Sequence, residues 1–121
     1  YDEFLAAYRD IIAKSVRLLR ENRFACFVVG DIRDKNGFYR NFVSDTIAAF
    51  REASMELYNE AILLTAIGSL PVRVGKQFET GRKLGKAHQN VLIFYRGDPK
   101  AIKQEFGPVA IAEDWNDEAA A

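Results

Sequence analysis

Between Gly68 and Gln89 the chain reads GSLPVRVGKQFETGRKLGKAHQ. Arg73, Lys76, Arg82, Lys83 and Lys86 stand against Glu79, the one acid between Arg73 and Lys86, a local balance of plus four. Cations grouped in this way neutralise phosphate, and Gly68, Gly75, Gly81 and Gly85 allow the backbone to approach a ligand closely. Arg73 and Arg82 carry the guanidinium fork that reads a guanine edge in the major groove. Phe78 can stack on an unpaired base or pin the segment to the body. A solvated, lysine-rich loop explains the same composition.

Other chemistry is sparse. His88 is the single histidine and Cys26 the single cysteine, far apart in sequence, so no metal-ligand spacing exists and no metal is expected. A histidine at the start of a strand suits a structural hydrogen bond better than catalysis. Gly30 and Asp31 follow the apolar run FACFVV, at the carboxyl end of an expected strand, where open α/β sheets bind ligands. They are the candidates for cofactor binding; the alternative is that Asp31 starts a turn or caps a local backbone group. No glycine-rich dinucleotide fingerprint, phosphate loop, nucleophile elbow or zinc-protease motif occurs, and Ser69 has no evident base. No catalytic residue is assigned.

The elements that must position these groups follow from periodicity. Phe4, Leu5, Tyr8, Ile11, Ile12, Val16 and Leu19 form one helical stripe, with Asp2 able to cap it and Asn22 able to end it in a left-handed conformation. RFACFVVGD reads as a strand apolar on both faces, the pattern of a central strand in a covered sheet, with Cys26 a small buried hydrophobe within it. Asn36-Gly37 could itself make a hairpin turn, but Phe42, Val43, Ile47 and Phe50 predict a helix from about Tyr39 to Ala53. ELYNEAILLTAI and QNVLIFYRG read as two more strands, the latter bounded by Gly97-Asp98-Pro99. PKAIKQEFG fits a short helix with Pro99 in its first turn and Gly107 past its end. Residues 108–121 are expected to be a short extended piece and a tail bearing Glu113, Asp114, Asp117 and Glu118 with no cation.

This order predicts an α/β layer protein in which the first two strands are parallel neighbours joined by a right-handed crossover. The third strand follows the second with no helical pattern between them, so it returns antiparallel beside it and leaves the basic segment as a long loop. A chain of 121 residues, 49% hydrophobic, makes one domain over residues 1–107 with the acidic tail as residues 108–121. Lys plus Arg and Asp plus Glu are 17 each, so only local clustering can recruit a polyanion. The lone cysteine fits a reducing compartment, no apolar run approaches the roughly 20 residues of a membrane span, and YDEFLAAYRD lacks signal-peptide order. A cytoplasmic location without membrane association is expected. A first residue other than methionine fits a processed or excised piece.

YDEFLAAYRDIIAKSVRLLRENRFACFVVGDIRDKNG followed by NEAILLTAIGSLPVRVGKQFETGRKLGKAHQNVLIFYRGDPK resembles the downstream half of bacterial and phage DNA amino-methyltransferases, which methylate N6 of adenine or N4 of cytosine. The resemblance extends to about Gly107 and is most specific in RKLGKAHQNVLIFYRGDPK, a basic segment, a histidine, then a strand closing on glycine. It implies a partial methyltransferase-like, Rossmann-like, three-layer mixed sheet with an antiparallel hairpin after the second helix. It further implies that the segment before the third strand lies on the nucleic-acid side, with Arg73, Lys76, Arg82, Lys83, Lys86 and His88 as DNA contacts. The family's Asp-Pro-Pro-Tyr signature, which holds the flipped base, and its glycine-rich S-adenosylmethionine segment are absent from these residues. Methyl transfer needs donor and amine held in line, an orientation effect of about 7–11 kcal/mol, so the isolated chain is expected to be inactive and without cofactor unless a missing segment completes it. The rival readings are a non-catalytic nucleic-acid-binding module and a self-associating structural protein, whose exposed sheet edge is covered by a second copy or a complementary chain.

Overall fold

The computed structural model describes residues 1–110. Helix α1 (Asp2–Leu18) leads to strand β1 (Arg23–Val29), helix α2 (Phe42–Glu52), strand β2 (Glu56–Leu64), helix α3 (Leu70–Gly81) and strand β3 (His88–Arg96). A 3-10 turn at Pro99–Ala101 runs into the short helix α4 (Ile102–Phe106). The expected strands are all present. Tyr1, not Asp2, stands at the N-cap of α1, and α2 begins at Phe42, three residues later than the apolar spacing alone predicted. Asn22 is left-handed, with φ 58°, and sits in the turn into β1 rather than at the helix end itself.

The sheet order is β1-β3-β2, and β3 is antiparallel to both neighbours. The hairpin of β2 and β3 is as expected, whereas the parallel β1–β2 neighbourhood is not. The two strands do run the same way, but β3 inserts between them, so every pairing is antiparallel and the sheet is not mixed. The physical reason lies in β3, whose Leu92, Phe94 and Tyr95 are the most deeply buried strand residues. A strand apolar enough to want cover on both sides takes the middle.

The layering also differs from the three layers expected. Helices α1 and α2 cover one face, where Ile12, Val16, Ala49 and Phe50 meet Val29, Leu92, Phe94 and Met55. Phe50 stacks on Phe94 with centroids 3.9 Å apart, and Phe27 meets Phe50 edge-on at 4.8 Å. On the opposite face, among the described residues, only Phe106 of α4 covers Phe24, at 5.3 Å, near Tyr58 and Tyr95. Phe24, Cys26 and Val28 alternate onto that face, so Cys26 is exposed rather than buried, and β1 is an edge strand rather than a central one. The apolar character on both faces of β1, which suggests a covered sheet, is met by the long helices of the described residues on one side alone.

The end of the molecule holding the carboxyl terminus of β3 is fastened by side chains to backbone. The Arg96 guanidinium donates to the carbonyls of Val16 and Leu19 at 2.8 and 2.7 Å, tying β3 to the end of α1, where the Val16 carbonyl also accepts from the Leu19 N–H. Asn22 Oδ1 accepts from the Tyr95 hydroxyl and from the Asp98 N–H, each at 3.2 Å. Gly97, with φ 123°, passes so close that any Cβ there would collide with the Asn22 amide. Asp98 accepts from Lys100 N–H at 3.0 Å and starts the turn into α4, with Pro99 in the first turn and Gly107 after the end as the sequence suggests. The acidic tail residues Glu113, Asp114, Asp117 and Glu118 lie outside the described residues.

Candidate nucleic-acid interface

Both β1 and β2 end, and β3 begins, at the opposite pole, so the β1–α2 connection and the segment 65–87 emerge together there. The β2–β3 ladder continues past Leu64 and His88 through Thr65 N–H to Ala87 O at 2.9 Å. Ile62, Leu63 and Leu64 are exposed, so the hairpin has already left the helical layer before the basic segment starts. The segment itself is not the structureless loop that the sequence suggests. Residues 70–81 form α3, with Pro71 in its first turn, where a missing N–H costs nothing.

Helix α3 buries no residue in the body of the protein. Its inner side is fixed by the returning chain, since a Cβ at Gly85 would lie 2.8 Å from Val74 Cγ1 and 3.2 Å from Leu70 Cγ. Gly85 therefore packs directly against α3 with no room for a side chain, and the whole unit is a helix-tipped arm.

The predicted cations divide into three groups. Arg73 and Lys76, exposed, are three residues apart on α3 and so share a face. Arg82 is left-handed, with φ 52°, and its guanidinium donates to the carbonyls of Phe78 and Glu79, both at 2.9 Å, while lying 5.3 Å over the Phe78 ring. It ends the helix and is tied down in doing so. Lys83 and Lys86 turn back towards the β1–α2 connection. A Cβ at Gly37 would lie 3.2 Å from Lys83 Cε, and Lys86 Nζ is 5.9 Å from the Tyr39 ring centroid. His88, half-buried, opens β3 opposite Leu64 at the root of the arm. None of the five cations pairs with a carboxylate among the described residues; the ion pairs there are Lys14–Asp10, Arg23–Glu105 and Arg51–Glu56.

Two residues that the sequence offered no site role, Arg33 and Tyr39, join this pole. Arg33 lies 4.2 Å over the ring of Tyr39, its partner in an isolated antiparallel bridge, and donates to Gly37 O at 2.8 Å. Asp34 holds the turn by accepting from the N–H groups of Asn36 and Phe38 at 2.8 and 3.0 Å, and Gly37 has φ 92°. The signal was Asn36-Gly37, a tight-turn pair that does fold back on itself ahead of α2. Arg33 and Lys86 thus share one exposed aromatic ring beside the carboxyl end of β1.

Gly30 and Asp31 lie at that same end, beside Lys86, whose Nζ is 3.9 Å from where a Gly30 Cβ would sit. Asp31 Oδ1 accepts from Val43 N–H at 3.3 Å and so caps the start of α2, the local role weighed as the alternative. Neither of two open cavities includes these residues. One, of about 440 Å³, lies between Val16, Arg17, Ser54 and Arg96, and the other, of about 270 Å³, between α1 and the outer edge of β1. The Asp31 carboxylate is thus engaged at the start of α2, and no methyl-transfer step is assigned to the Gly30–Asp31 pair. No group of metal-ligating side chains occurs among the described residues, and no helix there is long and apolar enough to cross a membrane.

No protein-family model and no curated protein matches the chain. Solved structures do. A candidate DNA modification methylase of Thermus thermophilus is similar over 98% of this chain, with 15% identity and a TM-score of 0.62, in both native and selenomethionine forms. Its complex with S-adenosyl-L-methionine is similar over all of this chain, with 14% identity and a TM-score of 0.61. The chain spans only 43–45% of the length of those structures. The likeness is one of fold: these residues adopt part of a methylase-like fold.

Proposed function

We propose that the chain is the DNA-facing part of an amino-methyltransferase, and that its helix-tipped arm lies along the phosphate backbone beside the target base. The observation that carries this reading is the projection of the basic arm from the pole where β1 and β2 end, with Arg73 and Lys76 on one open helical face. The fold likeness to a DNA modification methylase supports it, as does the sequence resemblance given above. In this reading Lys83 and Lys86 bring positive charge to the β1–α2 connection, Arg82 stiffens the helix end, and His88 marks the root of the arm. The remainder of the enzyme supplies the base clamp and S-adenosylmethionine site, and the 121 residues alone transfer no methyl group. N6 of adenine and N4 of cytosine are the acceptors that the resemblance implies.

The test is the anisotropy of a labelled duplex titrated with the chain at several salt concentrations. Each phosphate neutralised contributes about −0.9 to the slope of log affinity against log salt. The double variant Arg73→Ala/Lys76→Ala is expected to weaken binding and to flatten that slope by about 1 to 2. A duplex affinity that ignores salt, or no binding at low salt, removes the DNA-facing role.

A further inference from the structure

Three cations meet where the root of the arm passes the β1–α2 connection. Arg33 comes from the connection, its guanidinium lying over the Tyr39 ring and donating to Gly37 O and, at 3.4 Å, to the Tyr39 hydroxyl. A guanidinium has five N–H groups, so these two bonds fix the fork and leave most of its donors free. Lys83 and Lys86 come from the arm. The Lys83 ammonium is 3.4 Å from where a Gly37 Cβ would sit. The Lys86 ammonium is 5.9 Å from the same Tyr39 ring and 3.9 Å from where a Gly30 Cβ would sit.

The acids nearest in the chain do not offset this charge. Asp31 caps α2 through the Val43 N–H, and Asp34 accepts from the N–H groups of Asn36 and Phe38. No ion pair among the described residues includes Arg33, Lys83 or Lys86. Arg33 is held by ring, carbonyl and hydroxyl together, whereas the two lysines are point charges on flexible stems. A fixed fork facing two mobile ammonium groups suits a phosphate, which accepts several charge-assisted hydrogen bonds at once. There is a mechanical side as well. Helix α3 buries no residue in the body, and Lys83 and Lys86 are where the arm reaches the β1–α2 connection.

We propose that Arg33, Lys83 and Lys86 form a binding site for a phosphate group beside Gly37 and Tyr39, and that the bound phosphate ties the arm to the β1–α2 connection. Alone, the three charges repel one another; around a phosphate the same charges become a bridge. That the phosphate is one of a DNA strand rests on the proposed function, whereas the site itself rests on the cluster.

NMR spectra of the isotope-labelled chain, titrated with inorganic phosphate against chloride at constant ionic strength, test the site. The Gly37 N–H and the Tyr39 ring should shift with phosphate and not with chloride. The amides of residues 82–87 should then exchange roughly threefold more slowly or better. Lys83→Gln/Lys86→Gln should abolish both effects with an unchanged helical spectrum, and so should Arg33→Gln. The same spectra with a short DNA duplex distinguish the sources of the phosphate. Shifts at Gly37 and Tyr39 with the duplex, lost in the same variants, support a phosphate of the strand. Shifts with inorganic phosphate but no duplex binding keep the site and remove the DNA-facing reading. A duplex that moves α3 signals and leaves Gly37 and Tyr39 unmoved overturns the site and keeps that reading. No response at Gly37 and Tyr39 to either probe also overturns the site.

Discussion

Tyr1 donates its phenol to Asp45 in the first turn of α2, while the Arg40 guanidinium lies 4.7 Å over its ring. Burial, followed by the Asp45 hydrogen bond and charge, pushes the phenol up to about 12, with Arg40 opposing. A folded-state value above the ordinary 10 means that the contribution is whole below pH 10 and disappears as pH climbs through about 12. Tyr1→Phe is expected to cost about 1 kcal/mol at neutral pH, the loss of one half-buried hydrogen bond, and to flatten the alkaline decline. Urea melts at pH 7, 9 and 11 measure this; parallel declines for both proteins would contradict it. At this scale the sequence names candidate groups but not their engagements. Asp31 and Arg82 look free for a ligand in the sequence, yet each is spent on a helix terminus. Cys26 sits in an apolar run, and only the pleat decides that it points away from the helices.

Among the elements, α3 is the one that sequence periodicity conceals. Gly75 and Gly81 lie within it, each costing about 1 kcal/mol relative to alanine, and they mask the four-residue spacing of Leu70, Val74 and Phe78. The body contributes no burial to offset that cost, so the helix is held by Leu70 and Val74 against Gly85 and by the Arg82 cap. Its amides are expected to exchange with solvent at least a hundredfold faster than those of Leu92 to Tyr95, as read by native-state hydrogen exchange. Equal protection would mean that the arm belongs to the cooperative core. By contrast α1, α2 and all three strands were legible, because each carries enough apolar residues at period 3.6 or in an unbroken run to override local ambiguity.

For the whole molecule, pair directions were half legible: the antiparallel return of β3 on β2 was expected from an apparent lack of helix between them, a premise that α3 overturns, and the sequence has no sign that β3 lies between its predecessors. That position follows from total burial, which is a property of the assembled fold. The stack of Phe50 on Phe94 stands where helix and sheet layers meet, both rings being fully enclosed. Phe94→Ala is expected to cost about 3–5 kcal/mol, a large share of the stability of so small a domain, and to shift the urea midpoint accordingly. A loss below about 1 kcal/mol would place the core elsewhere.

The middle strand of the sheet is also the last of the three to be synthesised. Both of its ladders therefore wait for residues 88–96, and each closes only across a long stretch of chain. A chain terminated before His88 lacks the strand that joins β1 to β2, so neither of these ladders can form and the inner edge of β1 is left without its neighbour.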